Sequence, residues 1–312
     1  MDYSTAIDRL ITRQLRDWDE ARRNYEALNL VDTRELRLGE SIIRLQYNPE
    51  RRRSTTAATD KRSLARRKCF LCTDNQPVKQ KALLWGDHDK IQVNPYPIFT
   101  RHLTIADLRH LPQRLQHRVG DMLRLAQDLP RFVIFYNGPQ CGASAPDHMH
   151  FQAGAKGEMP ICDEIAHATT CLMADSDEGF IGYVSNLGRS LFTIETTTLR
   201  AAERYALRLL ELLPVDEGSL EPMVNVLCWW DSTVHAWRML VFPRRKHRPA
   251  CYGQGPGHLL LSPASVDMGG LWAVPDRSDF DTLTAPQIQA LYDELCLPID
   301  PLKGKIGTVL LM

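Results

Sequence analysis

Gly142-Ala143-Ser144-Ala145-Pro146-Asp147-His148-Met149-His150-Phe151-Gln152-Ala153 is the stretch on which the fold turns. From His148 onward polar and apolar residues alternate. A two-residue period puts His148, His150 and Gln152 on one face of a strand and Met149, Phe151 and Ala153 on the other. The plain reading of such a face is a half-exposed strand turned to water. The loop before it offers a second reading: residues 142–146, entered from Asn137-Gly138, can turn backbone N–H groups and the Ser144 hydroxyl toward an anion beside the imidazoles. A phosphoryl group held there would meet a neutral imidazole, which attacks phosphorus well and departs well in a second displacement.

Working outward, strands are expected at 91–94 and 102–106, a helix over 112–129 with Leu115, Val119, Met122 and Ala126 on one face, and a strand at 132–136. The same order recurs downstream, with strands at 180–184 and 191–195, a helix over 199–213, and strands at 223–230 and 236–242. Helix start and last strand lie 36 positions apart in both copies. Strand, strand, helix, strand, strand, repeated, predicts an α+β protein of two fused halves with antiparallel sheets and covering helices. The second copy's last strand, His235-Ala236-Trp237-Arg238-Met239-Leu240, lacks the paired histidines, so it is expected to be non-catalytic. The domain division read from this is 1–68 for an N-terminal helix, strand and basic linker, 69–175 for the catalytic half, and 176–312 for the second half with a C-terminal helix. That last helix opens on a capping pattern at Thr284, Pro286 and Gln287 and turns Ile288, Leu291 and Leu295 inward.

The 312 residues are 44% hydrophobic and 24% charged, which suits a globular enzyme and excludes a disordered or collagen-like chain. Lys plus Arg and Asp plus Glu both number 38, so the overall basic field of a dedicated nucleic-acid binder is absent and any phosphate site must be local. One local asymmetry stands out. Residues 51–68 carry eight Lys or Arg against a single Asp, either a solvated linker or, for one or two of them, a phosphate contact. Arg244-Arg245-Lys246-His247-Arg248 is a second basic run, at a strand end. Eight cysteines are too few for a disulfide scaffold, and Cys69-Phe70-Leu71-Cys72 reads as a metal or redox pair, or as two buried reduced thiols. Residues 1–28 lack the apolar core of a signal peptide, and no apolar run is long enough to span a bilayer, so a cytoplasmic protein with no membrane partner is expected. His102 reads as structural or supporting; His88, His117, His167 and His258 have no motif around them.

The string Gly142-x-Ser144-x-Pro146-x-His148-x-His150-x-Gln152 resembles the signature of the histidine-triad superfamily. The resemblance is to the branch containing galactose-1-phosphate uridylyltransferase and the diadenosine tetraphosphate and GDP-sugar phosphorylases, and residues 137–152 are also similar to an uncharacterised bacterial domain family within it. It implies two fused histidine-triad-like halves. It also implies a covalent nucleotidylyl intermediate on His150, with Gln152 holding the non-bridging phosphate oxygens and Asn137, Gly142 and Ser144 at the phosphates. Hydrolase branches carry a third His where this chain has Gln152, so transfer or phosphorolysis is implied over hydrolysis. Cys69 and Cys72 resemble the uridylyltransferase pair that binds structural zinc with two histidines, which here would be His110 and His148. Asp147 is an added residue relative to the uridylyltransferase pattern. The substrates implied are a nucleoside diphosphate sugar, with phosphate or a sugar 1-phosphate as acceptor, or alternatively a dinucleoside polyphosphate. A different class stays open beside these: a non-catalytic nucleotide or RNA binder using residues 51–68. The sequence leaves the oligomeric state open.

Overall fold

The computed structural model describes residues 2–56, 59–300 and 302. Two apolar segments become the central strands, because each is buried on both faces and can satisfy its backbone only within a sheet. They are β6 (Phe132–Asn137) and β11 (Val224–Asp231), and they pair antiparallel at the seam between the halves. In chain order the other strands are β1 (Thr33–Leu38), β2 (Ser41–Tyr47), β3 (Ala82–Trp85), β4 (Asp89–Val93), β5 (His102–Asp107), β7 (His150–Ala155), β8 (Thr170–Ser176), β9 (Gly179–Val184), β10 (Leu191–Thr196), β12 (Ala236–Pro243) and β13 (Leu271–Val274).

Ten of them form one sheet, ordered β3-β4-β5-β7-β6-β11-β12-β10-β9-β8, with every neighbouring pair antiparallel. Outward from the seam the first half runs β6, β7, β5, β4, β3 and the second β11, β12, β10, β9, β8, so the strand order is duplicated and the halves meet edge to edge. The outermost strands, β3 and β8, are absent from the sequence reading. Both lie at sheet edges, where Leu84 and Leu172 face solvent and no alternation is imposed.

The helices α1 (Tyr3–Asp17), α2 (Asp19–Leu28), α3 (Val119–Asp128), α4 (Leu199–Leu212) and α5 (Ala285–Leu295) complete the frame. A single opening helix is expected from the periodicity; it is broken at Trp18, whose backbone is extended while its indole is buried. α3 and α4 pack together on one face of the sheet, burying Met122, Leu123, Ala126, Tyr205, Ala206 and Leu209 against Phe151, Ala153 and Val226. On the opposite face, a small sheet of β1, β2 and β13, with β13 parallel to β2, and helix α5 cover Phe135, Leu227, Trp229, Leu240 and Phe242. The capping pattern at Thr284 forms, with the Thr284 N–H donating to Gln287 Oε1 at 2.9 Å.

Two boundaries depart from the periodicity. α3 begins at Val119 rather than 112, because the preceding turn is held by tertiary bonds: the Gln113 N–H to the Pro146 carbonyl at 3.1 Å and the Leu115 N–H to the Glu221 carboxylate at 2.7 Å. The equal 36-residue spacing of the two copies is therefore not kept. β7 begins at His150 rather than His148, whose N–H instead closes a turn on the Ala145 carbonyl at 3.1 Å. No helix among the described residues is long and apolar enough to cross a membrane.

Candidate active site

Within β7 the alternation holds. Phe151 and Ala153 enter the core under α3, while His150 and Gln152 face the other side, into a cavity of about 460 Å³ that Asn137, Gly142 and Ser144 also line. His148, two residues before the strand, leaves that face and points to the cysteines.

His150 is buried and its ring is anchored: Nδ1 lies 2.8 Å from its neighbour His148's carbonyl. A carbonyl only accepts, so Nδ1 carries the proton and the Nε2 lone pair is left for the cavity. Burial pushes the imidazole down to about 4. The backbone of His150 is clamped by Gln113, and the Gln113 amide also reaches the Asn137 carbonyl.

Gln152 accepts at Oε1 from His102 Nε2 at 3.0 Å and from Asn94 Nδ2 at 3.3 Å. Asn137, at the end of β6, accepts at Oδ1 from the Ser265 N–H at 2.8 Å and from Asn225 Nδ2 at 3.0 Å. Gly142 sits at φ +93° with Ala264 where a Cβ would go, 2.5 Å away, so only glycine lets the loop close on this wall.

Cys69, Cys72, His110 and His148 bring four ligand atoms within 4.8 Å of one another. His148 Nδ1 is 3.4 Å from Cys69 Sγ and 3.6 Å from Cys72 Sγ, and His110 Nδ1 is 3.2 Å from Cys72 Sγ. Tetrahedral zinc with ordinary Zn–S and Zn–N bonds spaces such atoms about 3.5 Å apart. His148 Nε2 donates to the Asp107 carbonyl at 2.8 Å, which frees Nδ1 as a ligand. Burial raises the Cys69 thiol, but the contact with His148 and the N–H groups of Leu71 and Cys72 outweigh it and bring it to about 6. Burial and the adjacent Cys69 raise the Cys72 thiol, a repulsion that a bound dication would reverse. Donor types, spacing and orientation all fit zinc. Asp147, the added residue, pairs with Arg67 and lies 3.6 Å from His110, so its side chain braces the cysteine site rather than lining the cavity.

The second basic run divides. Arg244 is buried and spent on Asn225 and on the carbonyls of Pro263, Lys246, His247 and Leu295. Arg245 binds the last carbonyls of α5, and Lys246 pairs with Glu294. Arg248 and His247 reach the cavity; from the first basic run, so does Arg51. Gln113, Asn94, Asn225 and Ser265 escaped the sequence reading, since an isolated side-chain amide or a backbone N–H carries no spacing signal.

These features define the class by its architecture: two like halves in one antiparallel sheet, with a single His-x-Gln strand facing the cavity. Residues 10–155 match the family described as Domain of unknown function (DUF4922). Among solved structures, yeast Ap4A phosphorylase Apa2 shares the fold at a TM-score of 0.58 and 18% identity, over 90% of this chain and 97% of that one. The same yeast enzyme in complex with Ap4A gives 0.58 and 15% over 90% and 97%, and in complex with AMP 0.55 and 16% over 92% and 97%. No curated protein matches the chain by sequence.

Proposed function

We propose that this protein is a nucleotidyltransferase or phosphorylase that works through a nucleotidylyl intermediate on His150. The observation that carries the reading is the anchored imidazole: its Nδ1 proton is given to the His148 carbonyl, so Nε2 opens onto a cavity beside two amide side chains. In the first step the Nε2 lone pair attacks the α-phosphorus of a nucleotide. The P–N bond forms, the P–O bond to the leaving phosphate breaks, and the leaving oxygen takes the electron pair. In the second step an acceptor phosphate oxygen attacks the same phosphorus, the P–N bond breaks, and His150 is returned neutral. Gln152 and Asn137 hold the non-bridging oxygens, Gly142 and Ser144 shape the phosphate wall, and Arg51 and Arg248 offset the remaining charge.

Cys69, Cys72, His110 and His148 would hold a structural zinc. When bound, it supplies a fixed cross-link between the Cys-x-x-Cys turn and the residues leading into β7. The nucleophile then belongs to residues 69–175, and the second half, 176–312, lacks the paired histidines while lending Arg248 to the cavity.

The substrate we favour is a nucleoside diphosphate sugar, with phosphate or a sugar 1-phosphate as acceptor. Phosphorolysis of a dinucleoside polyphosphate is the second reading, supported by the shared fold with an enzyme whose structures hold Ap4A and AMP. Intact-protein mass spectrometry after incubation with nucleoside diphosphate sugars and, separately, with Ap4A tests both. A nucleotidyl adduct mapped to His150 is expected, and the substrate that yields it selects the reading. Nucleotide binding without an adduct from any of them would replace transfer by a non-covalent binding role.

A further inference from the structure

We propose that His102 and Asn225 are positioning residues that lock the amides of Gln152 and Asn137 with their NH2 groups toward the cavity, making the floor beside His150 donor-only. The inference rests on the transfer reading above and assigns the device that aims its phosphate contacts.

A carboxamide has nearly the same shape either way round, so its polarity must be set by neighbours that can only donate or only accept. For Asn137 the Ser265 N–H, a pure donor, takes Oδ1 at 2.8 Å. Asn225 Nδ2 joins it at 3.0 Å. Asn225 cannot turn over, because its own Oδ1 receives the Arg244 guanidinium, a pure donor, and its Nδ2 also gives to the Cys141 carbonyl at 2.7 Å, a pure acceptor.

For Gln152 the orientation is set from the backbone. The Ile98 N–H donates to His102 Nδ1 at 3.1 Å, so the His102 proton is on Nε2. That proton goes to Gln152 Oε1 at 3.0 Å. Asn94 adds a second donor to the same oxygen, and its own polarity is set by the Tyr96 N–H on Asn94 Oδ1 at 3.0 Å. His102 is fully buried, and burial followed by the nearby Arg51 pushes it down to about 3, which keeps it neutral.

With both oxygens taken, Gln152 Nε2 and Asn137 Nδ2 have no protein partner among the described residues, and both side chains line the cavity with His150. A floor of N–H groups attracts phosphoryl oxygens; a flipped amide would set oxygen against oxygen. Asn225 stands opposite Asn137 in the β6–β11 register, so the half without the paired histidines still orients a group at the other half's site.

The test uses the full-length protein and the nucleotide that labels His150 fastest. His102→Leu should slow adduct formation roughly 100-fold, the lower end of what losing one aimed donor costs. His102→Gln, which can still donate, should recover most of the rate. In a Gln152→Leu background His102→Leu should add nothing, since there is no amide left to aim. An equal loss in both backgrounds, or no loss in either, overturns the proposal. Nitrogen NMR of the His102 ring decides the lock without any activity: Nε2 protonated and Nδ1 bare across pH 5 to 8 is expected, and the opposite tautomer overturns it. If no nucleotide labels His150 in the wild type, the transfer reading fails, and the ring spectrum still judges the lock.

Discussion

Gln113 holds both backbone hydrogen-bonding groups of His150: its Oε1 accepts the His150 N–H at 2.8 Å and its Nε2 donates to the His150 carbonyl at 2.9 Å. The same Nε2 reaches the Asn137 carbonyl at 3.1 Å. The β6–β7 ladder ends at Phe135 opposite Gln152, and one buried side chain continues it where the two strands part around the site. Gln113→Leu should cost about 1–3 kcal/mol through the backbone groups it strands. Urea unfolding checks the stability, and slower His150 labelling at unchanged nucleotide affinity checks the positioning.

His150→Ala is expected to abolish turnover and the adduct while leaving the fold and nucleotide binding intact, because it removes the nucleophile and not the cradle. His150→Gly should regain some turnover with a preformed nucleoside phosphoimidazolide, which brings its own imidazole. A wild-type-like rate in His150→Ala would exclude the covalent route.

Protein purified without added metal should contain about one zinc per chain by elemental analysis, as a closed four-ligand site implies. Cys69→Ser and Cys72→Ser should each lower the zinc content, and chelation should lower Tm. Folded, active protein free of zinc would reduce the four residues to a packing cluster.

Gln152 has no titratable proton near neutral pH, so it cannot protonate a leaving alkoxide as a third histidine could. Leaving groups should therefore need to be phosphates already, and water should be a poor acceptor. Monophosphate release measured with and without inorganic phosphate or hexose 1-phosphate separates the outcomes: a nucleoside diphosphate marks a phosphorylase, a new nucleotide sugar a transferase. Rapid release to water alone would contradict this role for Gln152.

Glu221 gives a pH signature in stability. Burial raises its carboxyl to about 7, against the partial relief of the Tyr136 hydroxyl and the Leu115 N–H. Between the unfolded value of 4.5 and about 7 the folded state holds the extra proton, so stability falls as pH rises through that window. Glu221→Gln, which can accept from Leu115 and donate to Tyr136, should flatten that slope and match or exceed wild-type stability at pH 8. Urea midpoints at pH 5, 6, 7 and 8 measure it.

Contiguous residues by themselves determined much of this protein. The alternation of His150 and Gln152 against Phe151 and Ala153 needs only the two-residue period of a strand, and the faces of α3 and α4 only the helical one. The duplicated order was legible because each half repeats those local signals. Three-dimensional packing decided what has no local signal. His148 leaves the strand for a turn on Ala145, and the first turns of the helix expected over 112–129 yield to bonds from Gln113 and Leu115, whose partners are remote in sequence. Edge strands β3 and β8 arise by pairing with β4 and β9 rather than by their own pattern. Above all, the polarity of the site's amides depends on Asn225, Ser265, His102 and Asn94 meeting Asn137 and Gln152 across strand register and between halves. An amide's two ends are alike in size and differ only in hydrogen bonding, so which end faces the substrate is set by neighbours that folding alone brings together.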